Sequence, residues 1–288
     1  MPAPLIGIIA HTGKTGAAAL IGQLRDEFTQ RGAQTFLENK TAALIDVQSA
    51  ASTREVGAAS DILVVLGGDG TILQVLHELG EEFKPIFGIN LGSLGFLTCV
   101  NSAAHMEAVE SIVSGNYLLS HRTLLRIEVH RDGRVIAQRL GLNDVVVSRG
   151  EISRLIKLQT CIDDAVLTEY NADGLVIATP TGSTAYSLAA GGPVLTPDCG
   201  VFVITPICPH VLTNRSLIVS DGSIVEIKPC RDQQDVFLTV DGQELLRIRS
   251  GDLIRIRKAA ATLPLAMLPG ISFFEVLRQK LKWSGSAI

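Results

Sequence analysis

The chain has 288 residues, with 25 Lys and Arg against 29 Asp and Glu, for a net charge of −4. That balance argues against nucleic-acid binding through a broad cationic surface, but not against a small anion held by a few placed groups. Hydrophobic residues at 47% and charged residues at 19% exclude a disordered chain, and no apolar stretch is long enough to span a bilayer.

The N-terminal "MPAPLIGIIAHTGKTG" has no charged region ahead of its apolar run. It reads directly as a first strand, "LIGIIA" (5–10), so no signal peptide and a cytoplasmic location are expected. "AAALIGQLRDEFTQRG" (17–32) has helical period and closes on Gly32. "AQTFLEN" reads as a second strand, and "DILVVLGG" (61–68) as a strand buried on both faces of a parallel sheet. "TILQVLHELG" (71–80) is a helix ended by Gly80, and "PIFGIN" (85–90) another strand. Strands alternating with helices predict a doubly wound α/β domain with a mostly parallel sheet over 1–120.

From 121 to 269 the texture changes. "LLRIEVH-RDG-RVIAQRL" reads as strand, Asp-Gly turn, strand. "RLIKLQTCIDDAVLTEY", "GVFVITPI", "SLIVS-DGS-IVEIKP" and "VFLTVDGQELLRIRS" continue in that manner. A β-rich second domain, sandwich-like, is expected. The alternating basic residues of "RIRS" and "RIRK" (247–258) read as the solvated face of a hairpin. A C-terminal helix (270–288) is expected to rejoin the first domain.

The five cysteines, Cys99, Cys161, Cys199, Cys208 and Cys230, are odd in number and form no C-x-x-C pair. Reduced thiols are expected rather than disulfides or zinc. The six histidines show no H-E-x-x-H spacing, so no metal site is expected, and His210 reads as structural. "GKT" (13–15) approaches a phosphate-loop signature, but its upstream glycine, Gly7, is one residue too distant. That stretch reads as a strand-to-helix loop near phosphates.

Four stretches carry chemistry. In "GGDGT", Gly67, Gly68 and Gly70 let backbone N–H groups approach a ligand where the next helix aims its positive dipole end. Asp69 does not itself attract phosphate. It either holds Mg²⁺ or accepts the proton of an attacking hydroxyl; a helix cap is the plainer alternative. In "GINLGSLGFLT", Asn90 ends a strand, and Phe96 either faces a flat ring or joins the core. In "GLNDVVVSR", Asn143 and Asp144 suit ribose hydroxyls or a base edge, or form an ordinary turn. "YNADGLVIATPTGSTAYSLAAGGP" combines an Asp173-Gly174 turn with a hydroxyl-rich loop. A short helix follows, capped by Ser183 or Thr184 and closed by Gly191-Gly192. Its small polar residues and Tyr186 favour a nucleoside pocket over a bare connection.

Together and in this order, "GGDGT", "NLGSLGFL", "LNDVVV" and "DGLVIATPTGSTAYSLAAGGP", with "VDGQ" (240–243), closely resemble the NAD kinase family. The resemblance runs from about residue 61 to the C-terminus. It implies phosphorylation of NAD on the 2′-hydroxyl of its adenosine ribose by ATP or polyphosphate, with Mg²⁺ carried by the donor. It also implies a homo-oligomer, a tetramer or dimer. By position Asp69 would be the general base and Gly70 a backbone contact. Phe96, Asn143, Asp144, Arg154, Asn171, Asp173, Thr184, Ala185, Tyr186, Ser187, Leu188, Ala189 and Gln243 would touch NAD or a neighbouring subunit. Gly67, Gly68, Gly70, Thr71 and Gln74 would face the phosphate donor. Three positions depart from the family pattern. Asp144 replaces a glutamate, and Gln74 and Asn171 stand where basic residues are common, which bears on donor affinity and choice. GGDGT alone also fits a diacylglycerol-type lipid kinase, and a non-catalytic NADP(H)-binding module is the other alternative.

Overall fold

Apolar runs without polar interruption make strands buried on both faces, and the first of two units is built around such runs. The computed structural model describes residues 3–93, 95–150, 154–230 and 236–283. The units are Met1–His121 with Leu263–Ile288, and Arg122–Thr262.

In the first unit, β1 (Leu5–Ala10), β2 (Gln34–Leu37), β3 (Ile62–Gly67) and β4 (Ile86–Asn90) form a parallel sheet in the order β4-β3-β1-β2. β5 (Val100–Asn101) adds beside β4. Five helices accompany the sheet: α1 (Ala17–Gln30), α2 (Asn39–Ala43), α3 (Thr53–Ala59), α4 (Asp69–Leu79) and α5 (His105–Ser114). Leu20, Leu24 and Phe28 of α1 and Val109 and Ile112 of α5 join Ile6, Ile8, Val64 and Leu66 in one core. Each such buried aliphatic side chain is worth about 1.5–3 kcal/mol. On the other face, a Cβ at Gly7 would come within 2.8 Å of Leu63, Ser60 and Val56, so α3 lies directly on the strand. This is the doubly wound α/β architecture that the alternating pattern predicts.

The second unit is antiparallel. Its strands are β6 (Leu118–Arg131), β7 (Arg134–Gly141), β8 (Asp144–Arg149), β9 (Ile156–Ile162), β10 (Ala165–Ala172), β11 (Gly174–Ala178), β12 (Val201–Ile207), β13 (Leu217–Ser220), β14 (Val225–Pro229), β15 (Val236–Val240), β16 (Gln243–Ile248) and β17 (Leu253–Met267). One sheet runs β13-β12-β11-β8-β15-β16. Facing it are the adjacent strands β10-β9-β14-β17 and the β6–β7 hairpin. Alternate residues of both layers form the core: Val145 and Val147, Leu175 and Ile177, Phe202 and Ile204 against Ile156 and Leu158, Val225 and Ile227, Ile254 and Ile256. The two-residue periodicity of these strands makes the sandwich.

Three tight turns, Asp132-Gly133, Asp163-Asp164 and Asp241-Gly242, have positive φ at both residues and close β6–β7, β9–β10 and β15–β16. Two expected hairpins do not form. Asp221-Gly222 leads from β13, paired with β12, to β14, paired with β9 and β17. β16 and β17 likewise belong to different layers, so the "RIRS" and "RIRK" arginines do not share a hairpin face. Arg255 and Arg257 instead pair with Glu226 and Glu128.

The sequence reading placed 263–269 with the β-rich domain. These residues fall in the first unit, because the end of β17 reaches the parallel sheet through Leu265 beside Ile86. The terminal helix α7 is shorter than expected, spanning Phe273–Leu281 after a Ser272 cap; the expected stretch 284–288 lies outside the described residues. No described helix is long and apolar enough to cross a membrane.

Candidate functional site

In the first unit, α4 begins two residues earlier than its apolar period suggests. The N–H of Gly68 donates to Thr71 Oγ1 at 3.3 Å, and a Cβ at Gly67 would lie 2.1 Å from that oxygen. The chain therefore passes from β3 into α4 with no connecting loop, and Asp69 is the first helical residue, with Gly68 in the cap position. The cap alternative for Asp69 is thus replaced by another role. Its carboxylate reaches the segment after β4, accepting the Phe96 N–H at 2.9 Å and the Leu97 N–H at 3.0 Å, one on each oxygen. A Cβ at Gly95 would sit 1.9 Å from Asp69 Oδ1. Glycine at 95 is therefore what lets the segment close over the carboxylate. Asp69 is half-buried, so its orientation is fixed while its oxygens keep lone pairs for another partner.

The segment is itself braced. Asn90 Oδ1 accepts the Gly92 N–H at 2.7 Å, its Nδ2 donates to Thr98 Oγ1, and that hydroxyl accepts the Gly95 N–H at 2.8 Å. The Phe96 ring is half-buried, 6.2 Å from the ring of Phe273 on α7. Beside α4 lies a cleft of ≈ 120 Å³ whose lining includes His11, Thr12, Lys40, Thr71, Gln74 and Glu78. It brings the "HTGKTG" loop together with Thr71 and Gln74. The Gln74 amide donates to Glu78 at 3.0 Å, where a basic residue would have placed a positive charge.

In the second unit, Asn143 and Asp144 stand at the entry to β8. Asp144 is 4% exposed. Burial, reinforced by the negative charge of Asp241 and opposed by a bond from the Tyr186 amide, pushes its carboxyl up to about 7. Asp241 takes three amides: Leu142 on one oxygen at 2.9 Å, and Asn143 and Asp144 on the other at 2.7 and 3.1 Å. On the opposite side, Thr179 N–H donates to the Asn143 carbonyl at 2.9 Å, and Thr179 Oγ1 donates to the Leu142 carbonyl. A Cβ at Gly182 would lie 1.9 Å from the Asn143 carbonyl oxygen. The sequence shows Gly182 in the hydroxyl-rich loop and Asp241 in "VDGQ", but gives neither a role at this corner. An Asp-Gly pair between strands and a glycine in a hydroxyl-rich loop were the available signals, but neither tells which distant amides or carbonyls they meet.

The hydroxyl-rich loop splits in two. Thr181–Thr184 form a 3₁₀ turn and α6 (Tyr186–Ala189) a single helical turn, with Ala185 rather than Ser183 or Thr184 at its N-cap. Ser183 is fully buried, donating to the Pro180 carbonyl and accepting the Leu195 N–H. Ser187 is also fully buried, with its hydroxyl 3.2 Å from that of Thr205. These two hydroxyls bond within the protein and fix the loop. Thr184 and Leu188 are half-buried, Ala189 is exposed, and Tyr186 is 46% exposed. Asp173 accepts from Arg149 at 2.6 Å, Asn171 gives its carbonyl to the His210 N–H, Arg154 is exposed, and Gln243 opens β16 half-buried. Among the described residues no group of three or more His, Cys, Asp or Glu is arranged to hold a metal ion.

Residues 6–117 match the family model of the ATP-NAD kinase N-terminal domain, and 142–268 that of the C-terminal domain. The chain is 42% identical to the NAD kinase of Geotalea daltonii over 96% of its own length and 98% of the relative's. It is 42% identical to the NAD kinase of Syntrophotalea carbinolica over the same shares. Among solved structures it resembles yeast NADH kinase complexed with NADH, with a TM-score of 0.89 and 26% identity, covering all of this chain and 90% of the other.

Proposed function

This chain belongs to the NAD kinase family, and from that premise we propose that Asp69 is the general base of an ATP-dependent phosphorylation of NAD. The observation that carries the assignment is the two-amide hold on its carboxylate, which aims a half-buried acceptor without using up its lone pairs. The 2′-hydroxyl of the adenosine ribose is a poor nucleophile at neutral pH. As its oxygen bonds to the terminal phosphorus of ATP, its proton passes to Asp69. The bond from that phosphorus to the bridging oxygen breaks, and ADP leaves with the electron pair. A placed base of this kind contributes about 10²–10⁴-fold.

Thr71, Gln74 and the glycine turn of Gly67, Gly68 and Gly70 are assigned to the donor phosphates, and Lys40 and His11 line the cleft with Thr71 and Gln74. Mg²⁺ bound to the donor spreads the charge on the transferred group. In the second unit, Asn143 and Asp144 are assigned to the dinucleotide, with the backbone and exposed side chains of 184–189. Ser187 serves there through its backbone. The enzyme is taken to act in the cytoplasm as a homodimer or homotetramer, which light scattering on the purified chain would test.

The decisive experiment offers NAD, NADH and diacylglycerol with ATP and with polyphosphate. NADP formed from NAD and ATP, and lost in Asp69→Asn, supports the reading. Phosphorylated lipid, or no product with any donor, overturns it.

A further inference from the structure

Asp241 does more than close the β15–β16 hairpin. At φ 51 it adopts the left-handed conformation that Asp tolerates. Its side chain turns back to the entry of β8 and collects the amides of Leu142, Asn143 and Asp144. Its own N–H donates to the Asp144 carbonyl at 2.9 Å, so the two residues are tied in both directions. Both are buried, at 4% and 8% exposure. A carboxyl group buried beside the charge of another is harder to ionise, and Asp144 is so placed.

We propose that Asp241 is a positioning residue that fixes the Asn143–Asp144 corner, and that dinucleotide binding releases the proton that Asp144 carries in the free protein. The inference rests on the reading of Asp144 as a dinucleotide ligand and adds the proton to it. The three N–H donors on Asp241 hold the corner, and the proton at issue is that of Asp144, buried beside it. An ionised Asp144 offers only acceptors, which suits the hydroxyl donors of a ribose; the displaced proton goes to solvent.

The neighbouring elements support this assignment. β11 and β15, which flank β8, carry no titratable residue. α6 brings Tyr186, whose amide bonds Asp144 and which is itself 46% exposed. Arg149, at the far end of β8, is paired with Asp173. Among the described residues of this unit, Asp241 is thus the charge that acts on Asp144, after burial itself.

The test is calorimetric titration of the full chain with NAD across the neutral pH range, in two buffers of different ionisation enthalpy. The dissociation constant should fall about tenfold per pH unit below the break near 7 and then level, with one proton released per NAD below the break. Asp241→Asn keeps a residue that accepts positive φ, but sets an NH₂ against one of the three amides. It should weaken binding and move the break to lower pH. Asp144→Asn should abolish both the slope and the proton release, which keeps the test open if the Asp241 variant does not fold. An unchanged break in folded Asp241→Asn, or no proton release from the unsubstituted chain, overturns the proposal. An Asp144→Asn variant that binds NAD with unchanged affinity and unchanged slope instead removes Asp144 from the dinucleotide site, a separate failure.

Discussion

Asp69 and Asp241 are both carboxylates held by backbone amides, but they are held for opposite ends. Asp69 is half-buried, takes one amide on each oxygen, and lies at the first turn of an eleven-residue helix. Asp241 is 8% exposed, takes three amides, and lies in a two-residue turn at positive φ. The first arrangement aims the carboxylate itself and leaves it accessible. The second encloses the carboxylate and aims its neighbours. A count of hydrogen bonds does not separate the two uses; burial and the remaining lone pairs do.

The sharpest way to break the comparison is Asp69→Asn. Turnover should fall about 10²–10⁴-fold, measured as NADP formed per second at saturating NAD and ATP, while NAD still binds. Because the amide would set an NH₂ against the N–H of Phe96 or Leu97, a modest loosening of that segment is expected as well. Turnover within a few-fold of the unsubstituted enzyme would show that the two amides hold a structural carboxylate, as at Asp241.

The second test uses stability rather than rate. Folding raises the Asp144 carboxyl from 3.8 to about 7, so the folded chain holds this proton more tightly than the unfolded one. Its contribution is complete below the unfolded value and is lost as pH rises toward 7, where a charge must be buried beside Asp241. Asp144→Asn should therefore be more stable than the unsubstituted chain at pH 8, by up to about 4 kcal/mol, with the advantage shrinking toward pH 5. Denaturant unfolding at the two pH values reads it. Equal differences at both would mean that the Asp144 carboxyl does not titrate in the folded state.

Much of this was legible in the sequence, for reasons that particular residues make plain. "ILVVLG" can only be a doubly buried strand, and a glycine-rich turn into an amphipathic helix places its residues at the carboxyl end of a parallel sheet. The four motifs were enough to assign the family, which the comparisons bear out. What was not legible depends on partners distant in the chain. The Asp-Gly pairs at 221–222 and 241–242 look alike, yet the first changes layers and the second closes a hairpin, because β12 claims β13 and leaves β14 to β9 and β17. Gly95 and Gly182 look like loop glycines; their importance lies in Asp69 and in the Asn143 carbonyl, which they approach closely. Ser183 and Ser187 look like ligand-facing hydroxyls, and Leu195 and Thr205 take them instead. The unit boundary falls inside β17, beside Pro264, where the strand runs on without a break.

Gly95→Ala tests the Asp69 side of the comparison without replacing the carboxylate. A Cβ 1.9 Å from Oδ1 forces the carboxylate or the 95–97 segment to move. A displacement of about 1 Å costs about 10²-fold in turnover, and thermal unfolding should change far less than activity. Unfolding in step with the lost activity would assign Gly95 to the fold instead.

The smallest effect is expected at Phe273. Its ring lies 6.2 Å from that of Phe96 at an interplanar angle of 42°, a tilted pair worth about 0.5–1.5 kcal/mol. Phe273→Ala removes that support from the residue whose N–H holds one Asp69 oxygen. The Leu97 amide holds the other oxygen, and the Asn90–Thr98 network braces Gly95 independently of α7. Turnover should therefore fall less than about tenfold, with a stability loss of about 1 kcal/mol, and Phe273→Leu should restore most of both. A loss as large as that of Gly95→Ala would mean that the carboxylate is aimed through α7 and not by the 95–97 segment alone.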